Sequence, residues 1–283
     1  GRHFQEFRDI NELPEDSGRR VLTTGGHYGY LKIAEGCDKH CTYCIIPSLR
    51  GRFRSVPQER LIAQAEHMAE QGVKELILVA QETTMYGTDL YGKKTLHLLM
   101  KELCKIKGIR WIRVLYCYPE EIYDELIQVM KEEKKICHYL DLPIQHASDR
   151  ILKRMGRRTT RAQLTATIEK LRKEIPDIVF RTTLITGFPG ETEEDHQELM
   201  EFVDEMEFDR LGAFTYSPEE GTPAETMEDQ IPEEIKEERR DEIMELQQEI
   251  SLEKGNDRIG QELLVMIEGK VSGESAYIAR TYG

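Results

Sequence analysis

The sequence predicts an α/β fold: an open, partial barrel of six βα units, followed by the start of a small β-domain. Short apolar runs alternate with segments of helical periodicity between residues 30 and 216. Repeated βα units favour a parallel sheet with right-handed crossovers, and six units are too few to close an eight-stranded barrel. Function in such folds gathers where the strands end, so the loops that follow the strands are the expected location of a site.

The predicted strands are short and apolar. Residues 76–80 form an unbroken apolar run, which is typical of a strand buried on both faces. The six barrel strands are predicted at residues 30–34, 76–80, 109–116, 139–142, 178–185 and 210–216. The intervening helices are predicted at residues 57–72, 96–106, 119–131, 149–155, 161–174 and 191–206.

The chain divides into four parts. Residues 1–29 lack periodicity and are rich in glycine, which predicts an arm or linker. Residues 30–230 form the barrel and residues 231–258 a long, charged connecting helix. Residues 259–283 contain two alternating segments, 262–269 and 275–281, that predict a β-hairpin. A hairpin is marginally stable alone, so we expect it to begin a small β-domain.

Composition narrows the class of protein. The chain is 39% hydrophobic and 33% charged, and it contains no apolar run of membrane-spanning length and no signal-peptide pattern. These features predict no membrane partner and a cytoplasmic location, where cysteines stay reduced and bind metals more often than they form disulfides.

The net charge of −14 argues against a general nucleic-acid coat. Two basic groups interrupt the acidic background: Arg50 begins one that extends to residue 60, and residues 150–161 form the other. Each group is either a solvated face or, if it flanks the site, an attractive surface for an acidic or phosphate-bearing partner.

Three of the six cysteines, Cys37, Cys41 and Cys44, follow the first predicted strand in the spacing C-x3-C-x2-C. Thiolates this close converge from one loop on one inorganic centre, but they are one short of the four ligands that a closed zinc site or an iron–sulfur cluster takes. A cluster held by three cysteines leaves one iron open to an external ligand. A structural zinc with His40 or a remote fourth ligand is the alternative, because soft thiolates suit both centres.

The cysteine spacing, with Tyr43 before the last cysteine, resembles the radical S-adenosylmethionine (SAM) superfamily. The resemblance implies a partial (β/α)6 barrel and a [4Fe–4S] cluster held by Cys37, Cys41 and Cys44. It also implies that the amino and carboxylate groups of SAM chelate the fourth iron. One electron then cleaves SAM to methionine and a 5′-deoxyadenosyl radical, which abstracts a hydrogen atom from an unactivated carbon.

Further segments narrow the resemblance. Residues 44–51, 187–192 and 230–234 resemble the methylthiotransferases, which insert sulfur at C–H bonds and methylate it. Residues 141–148 and 277–283 are similar to the RimO branch, the latter to its C-terminal TRAM β-domain. That branch modifies the β-carbon of an aspartate in small-subunit ribosomal protein S-twelve, which implies this protein or the ribosome and an electron donor as partners. A tRNA-modifying (MiaB-type) enzyme and a zinc-stabilised binding module are the alternative hypotheses.

The same resemblance assigns site residues beyond the cluster ligands, and it assigns no catalytic residue beyond the cluster itself. The cofactor-binding residues that it implies are Tyr43, Gln81, Glu82, Gln145, Gly187, Phe188, Pro189 and Gly190. The predicted substrate contacts are His146, Arg50 and Arg154. The usual motif at the second strand is Gly-Gly-Glu, and only its acid, Glu82, matches here. Residues 187–190 are otherwise an ordinary turn, in which Glu191 caps the next helix.

Full-length methylthiotransferases carry an N-terminal domain whose three further cysteines hold a second [4Fe–4S] cluster, which receives the sulfur. Residues 1–29 contain no cysteine. We therefore expect a fragment centred on the radical-SAM core, which binds one cluster and SAM but does not complete methylthiolation.

Overall fold

The structure, a computed structural model, describes residues 9–13 and 25–283. Most of the predicted N-terminal arm, residues 1–8 and 14–24, lies outside the described residues. The boundaries of the predicted domains stay predictions.

Six parallel strands form the main sheet and confirm the partial barrel. The strands of the described residues are β1 (Tyr28–Lys32), β2 (Ala34–Glu35), β3 (Arg54–Ser55), β4 (Glu75–Val79), β5 (Trp111–Val114), β6 (Ile136–Asp141), β7 (Val179–Thr186), β8 (Arg210–Thr215), β9 (Val265–Lys270) and β10 (Tyr277–Thr281). The sheet order is β1-β4-β5-β6-β7-β8, and every neighbouring pair in it is parallel. Because this order is also the chain order, successive βα units lie side by side and all strand ends point to one edge.

Helices cover the outside of this sheet. The α-helices of the described residues are α1 (Ile46–Arg50), α2 (Gln58–Glu70), α3 (Thr88–Tyr91), α4 (Leu96–Cys104), α5 (Asp124–Glu132), α6 (Asp149–Arg154), α7 (Arg161–Glu174), α8 (Glu193–Met206) and α9 (Glu233–Asp257). No helix in the described part of the chain is long and apolar enough to cross a membrane.

Two helix starts differ from the prediction. The helix expected from Pro119 begins at Asp124, because Pro119–Glu121 form a separate 3-10 turn and the next two residues are extended. The turn is fixed by its side chain contacts, since Glu121 pairs with Lys94 at 2.8 Å. The helix expected from Glu191 begins at Glu193, with Thr192 as its N-cap.

Alternation along the strands separates a covered face from a concave face. In β7, Phe180 and Leu184 are fully buried in the core beneath the helices, whereas Arg181 between them is only partly buried. Successive side chains of a strand point to opposite faces. The helices therefore cover the face of Phe180, and Arg181 lies on the face that encloses the barrel interior.

The C-terminal segment packs against the amino ends of the strands. β9 and β10 form the predicted antiparallel hairpin. Within β10, Arg280 pairs with the buried carboxylate of Glu75 at the start of β4. Just after β10, the Tyr282 carbonyl accepts a 3.0 Å hydrogen bond from Arg113 Nη2. This contact covers the amino edge of the sheet and leaves the carboxyl edge to the loops that carry the candidate site.

Candidate functional site

The cysteine loop lies at the carboxyl edge of the sheet, directly after β2. Cys37 and Cys41 are buried and Cys44 is partly buried. Backbone hydrogen bonds hold the loop, because Cys37 N donates to the Gly51 carbonyl at 3.2 Å and Cys44 N donates to the Cys41 carbonyl at 3.1 Å. The three predicted ligands therefore share one ordered loop.

Gly36 makes the entry to this loop possible. Its φ of +77° is in the left-handed region, and a Cβ atom there would lie 2.2 Å from the Arg52 carbonyl oxygen. The Gln81 side chain supports the same point, because its Oε1 accepts from Gly36 N at 2.9 Å. Gln81, predicted to bind the cofactor, is thus placed as a brace for the cysteine loop.

The thiols affect one another electrostatically. Burial raises the pKa of Cys37 to about 11, and this value includes an opposing hydrogen bond from Lys39 N–H and smaller contributions from Glu82, Cys41 and Cys44. Burial, with a contribution from Cys41, also raises the pKa of Cys44. Adjacent buried thiolates need a positive centre to hold them, which is what a metal centre provides.

The cysteine loop does not have the geometry of a site for a single metal ion. Within residues 9–13 and 25–283, no three His, Cys, Asp or Glu side chains are placed to hold one such ion. A [4Fe–4S] cluster spaces its thiolates more widely than a single ion does, because each thiolate binds a different iron.

Aromatic and cationic side chains line the far side of the loop. The Tyr118 hydroxyl lies 3.5 Å from Cys41 Sγ, and the buried Arg157 guanidinium lies 4.3 Å from the centre of the Tyr118 ring. With Lys39 and Glu120 these residues border a cavity of about 240 Å³. The sequence does not predict that Tyr118 and Arg157 lie at the site, because nothing in their spacing links them to the cysteines.

Glu82 is the acid best placed to hold a cationic ligand. It follows β4, its exposed fraction is 1%, and burial raises its pKa to about 7. Its Oε1 accepts from Thr84 N at 3.1 Å, whereas its Oε2 is buried without a partner in the structure. An unpartnered buried carboxylate oxygen is costly unless a ligand satisfies it, so Glu82 fits the amino group of SAM.

The loop from Gly187 to Gly190 packs against the cysteine loop. The buried Phe188 ring meets the Tyr43 ring edge-on at 6.3 Å, and Arg154 Nε donates to the Pro189 carbonyl at 2.9 Å. The Arg154 carbonyl in turn accepts from the Thr42 hydroxyl at 2.9 Å. Tyr43 and Arg154 therefore join the two loops, and the prediction that Arg154 contacts substrate is not supported by this placement.

Gln145 lies beside this loop in a strained conformation. Its φ is +70°, although its backbone continues the ladder with β7 through a 3.0 Å bond from its N–H to the Thr183 carbonyl. Its Oε1 is buried without a partner in the structure. Strain at a non-glycine residue is typical of functional positions, and the free oxygen agrees with the predicted cofactor contact.

His146 follows the fourth barrel strand, as predicted, but its side chain is enclosed in the core, whereas Arg50 lies apart from the cysteine site. His146 is fully buried, with Nδ1 accepting from Ser148 N at 3.0 Å and Nε2 lying 3.4 Å from Glu191 Oε2. This position is structural and does not support a substrate contact. Arg50 is exposed and lines a separate shallow cavity with Arg54, so it does not join the buried site.

Glu191 is not the helix cap that the sequence predicts. Thr192 forms the capping box with Asp195, while Glu191 accepts from Phe188 N at 3.2 Å and from Arg239 at 3.0 Å. Burial alone would raise the pKa of Glu191, but hydrogen bonding to His146 and the backbone and the charge of Arg239 lower it overall. Glu191 therefore holds the Gly187–Gly190 loop in place through its hydrogen bond with Phe188 N.

Comparison with known proteins identifies the class. Residues 31–203 match the sequence profile of the Radical SAM superfamily. The methyltransferase TsrM of Kitasatospora setae has a similar fold, with a TM-score of 0.57 and 16% identity over 70% of this chain and 38% of that chain. Coproporphyrinogen III oxidase (HemN) of Escherichia coli gives a TM-score of 0.56 and 18% identity over 78% and 52%. The chain belongs to the radical SAM superfamily, whose cofactors are a [4Fe–4S] cluster and SAM.

Particular relatives are more similar in sequence. "Ribosomal protein uS12 methylthiotransferase RimO" of Lachnoclostridium phytofermentans is 62% identical over 282 residues, which is 100% of this chain and 64% of that protein. The protein of the same name from Clostridium perfringens strain 13 is 57% identical over 274 residues, which is 97% and 61%. The chain thus spans less than two thirds of the length of these relatives.

Substitution of Glu82 by glutamine is expected to stabilise the cofactor-free protein at pH 8 and to weaken SAM binding. The pKa rises from 4.5 to about 7 on folding, so the folded state retains a proton that the unfolded state has lost between these values. Stability therefore falls as pH rises through this window, by roughly 3 kcal/mol at the upper limit.

Thermal unfolding at pH 5 and pH 8, with SAM titration of the reconstituted protein, checks this expectation. The gain in melting temperature of E82Q should be larger at pH 8 than at pH 5. Equal gains at both pH values, or undiminished SAM affinity, would contradict it.

Proposed function

We propose that this chain is the radical-generating core of a methylthiotransferase that modifies an aspartate β-carbon in ribosomal protein uS12. One observation carries the chemistry: the cysteine loop and the unpartnered oxygen of Glu82 meet at the carboxyl edge of one partial barrel. The similarity to proteins named RimO, which extends over the whole chain, supports the reaction and the substrate.

The proposal gives each part of the site a task. Cys37, Cys41 and Cys44 hold the cluster, and Glu82 with Gln145 supplies oxygens for the polar groups of SAM. The glycines at Gly187 and Gly190 give this loop its left-handed backbone turns, with φ of +68° and +79°, and the space beside them is occupied by Lys236 and Arg154. When bound, the cluster and SAM supply one-electron cleavage of SAM and hydrogen abstraction. The protein orients the cofactor and excludes water through the buried packing of Phe188 on Tyr43.

Other parts of the whole enzyme belong to the same proposal. The proposed reaction also uses a second [4Fe–4S] cluster that receives the sulfur, and this chain spans 64% of the length of its Lachnoclostridium relative. An electron donor and a cytoplasmic location complete the proposal, since a cytoplasmic ribosomal protein is the substrate.

A tRNA methylthiotransferase is the second candidate, favoured by the exposed basic residues Lys153 on α6 and Arg158 in the segment after it. Mass spectrometry of ribosomal protein uS12 and of tRNA from a deletion strain separates the two. We expect the methylthio group to disappear from uS12 and the tRNA modifications to remain. The reverse result would support the tRNA enzyme and overturn the proposal.

A further inference from the structure

The concave face of the sheet carries a pair of opposite charges that the proposed cofactor site does not use. Asp141 on β6 and Arg181 on β7 are register partners, and Arg181 Nη1 donates to Asp141 Oδ1 at 2.8 Å. Because Phe180 beside it is buried under the helices, Arg181 points into the barrel interior. Arg181 is the one charged residue of β7, whose other residues are apolar or threonine, and it calls for an explanation.

The two partners differ in how far their hydrogen bonding is satisfied. Asp141 is 0% exposed, and its second oxygen accepts from Tyr116 N at 3.2 Å. The Arg181 side chain is 42% exposed, and Asp141 engages one of its five N–H donors among the described contacts. Both oxygens of Asp141 are therefore engaged, one by Arg181 and one by the Tyr116 N–H, whereas Arg181 keeps N–H donors that no described contact engages.

The charge around this pair is positive, although the whole chain carries a net charge of −14. Arg210 on β8 is the register partner of Arg181, is exposed, and donates to the Asp209 carbonyl at 2.9 Å. Tyr139, on the same face, senses the charges of Asp141, Arg181, Arg113 and Arg210. The Glu75 carboxylate binds Arg113 and Asp141 binds Arg181, whereas Arg210 contacts a backbone carbonyl and no carboxylate among the described contacts. The excess attracts an anion into the barrel.

This positive patch lies in the same layer as the proposed cofactor site. Tyr116, which binds Asp141, follows the end of β5, and its carbonyl accepts from Thr83 N at 3.0 Å. Thr83 is adjacent to Glu82, the acid proposed to hold SAM. The exposed rings of Tyr116 and Phe214 stand at the strand ends nearby. Hydrogen bonds thus connect Arg181, through Asp141, Tyr116 and Thr83, to the strand-end segment that carries Glu82.

We propose that Arg181 binds the carboxylate of the acidic side chain that the enzyme modifies, and that Asp141 is the positioning residue for its guanidinium. This inference rests on the proposed aspartate methylthiotransferase function. Arginine forms two parallel hydrogen bonds with a carboxylate. Since the reacting β-carbon is bonded to that carboxylate, the contact fixes which C–H bond is presented. An asparagine or a nucleobase lacks the negative charge, so Arg181 selects an acidic peptide.

The test uses the full-length enzyme, reconstituted with iron, sulfide and SAM, and a uS12 peptide with either aspartate or asparagine at the modified position. Peptide Kd and methylthiolation are measured for the wild type, R181Q, R181K and the surface control R110Q. We expect R181Q to bind the aspartate peptide about 10- to 100-fold more weakly, as for loss of hydrogen bonds to a charged group, and to lose its preference over asparagine. R181K should retain part of the preference, and R110Q all of it.

Formation of 5′-deoxyadenosine without peptide reports folding and cofactor loading in each variant, and should be unchanged. If R181Q fails this control, the aspartate-to-asparagine preference of R181K decides: a preference equal to wild type overturns the inference, and a reduced one supports it. Unchanged preference in a loaded R181Q enzyme that still modifies the peptide overturns the inference and leaves the function standing. A wild type that binds aspartate selectively through Arg181 but never modifies uS12 overturns the function alone. A wild type without preference overturns the inference.

Discussion

Replacing Cys37, Cys41 and Cys44 together with alanine is expected to abolish cluster binding in the barrel and all cleavage of SAM. The three thiols share one loop, in which burial and the neighbouring Cys41 raise the pKa of Cys37 and of Cys44, so a positive inorganic centre is what their proximity suits. The full-length variant should lose about four iron atoms per chain, the content of one [4Fe–4S] cluster. Iron and sulfide analysis and a 5′-deoxyadenosine assay measure both effects.

Cys104 provides the matched control. It is partly buried on α4 and belongs to none of the loops at the site. C104A should keep the wild-type iron content and SAM cleavage. If the triple variant kept its iron, or if C104A lost as much, the cysteine loop would not be the cluster site.

The second large effect is expected from G36A. The new Cβ atom would lie 2.2 Å from one backbone carbonyl oxygen and 2.6 Å from the Gly51 carbonyl oxygen, and the φ of +77° is itself unfavourable for alanine. Backbone oxygens cannot move aside as a flexible side chain can. The conformational strain costs about 1–3 kcal/mol, and the clash adds to it by displacing the cysteine loop. We expect a lower melting temperature and poor cluster loading.

G92A separates the clash from the strain of a left-handed backbone. Gly92 has a φ of +68°, and nothing lies within 4 Å of an added Cβ there. G92A should lose some stability and retain full iron loading. Equal iron loading in G36A and wild type would show that the loop does not depend on the close approach at Gly36.

The sequence was informative where local pattern decides structure. The alternation of strand-like and helical segments predicted the six barrel strands, and the first of them placed Cys37, Cys41 and Cys44 in the loop after a strand end. Helix starts were less certain, because the turn at Pro119 depends on the contact of Glu121 with Lys94, which are distant in sequence. A proline before acids reads as a helix start whether or not such a contact exists.

Tertiary packing brings together the side chains around the site, and local sequence patterns do not predict these contacts. Arg157 reaches Tyr118 across 39 residues, and no periodicity connects them. His146 follows a strand end, as many functional histidines do, but its contact with Glu191 buries it. Arg181 had one available signal, a single charge in a strand of apolar and threonine residues, and only the register with Asp141 gives that signal a meaning.

Anaerobic reconstitution of the chain, followed by iron and sulfide analysis and a 5′-deoxyadenosine assay, tests the central claim most directly. The claim is that the cysteine loop and the partial barrel form a radical-generating core. The expected result is about four iron and four sulfide per chain, with 5′-deoxyadenosine formed from SAM on reduction. Bound zinc without iron or sulfide, and no 5′-deoxyadenosine, would contradict the claim and favour a zinc-stabilised binding module.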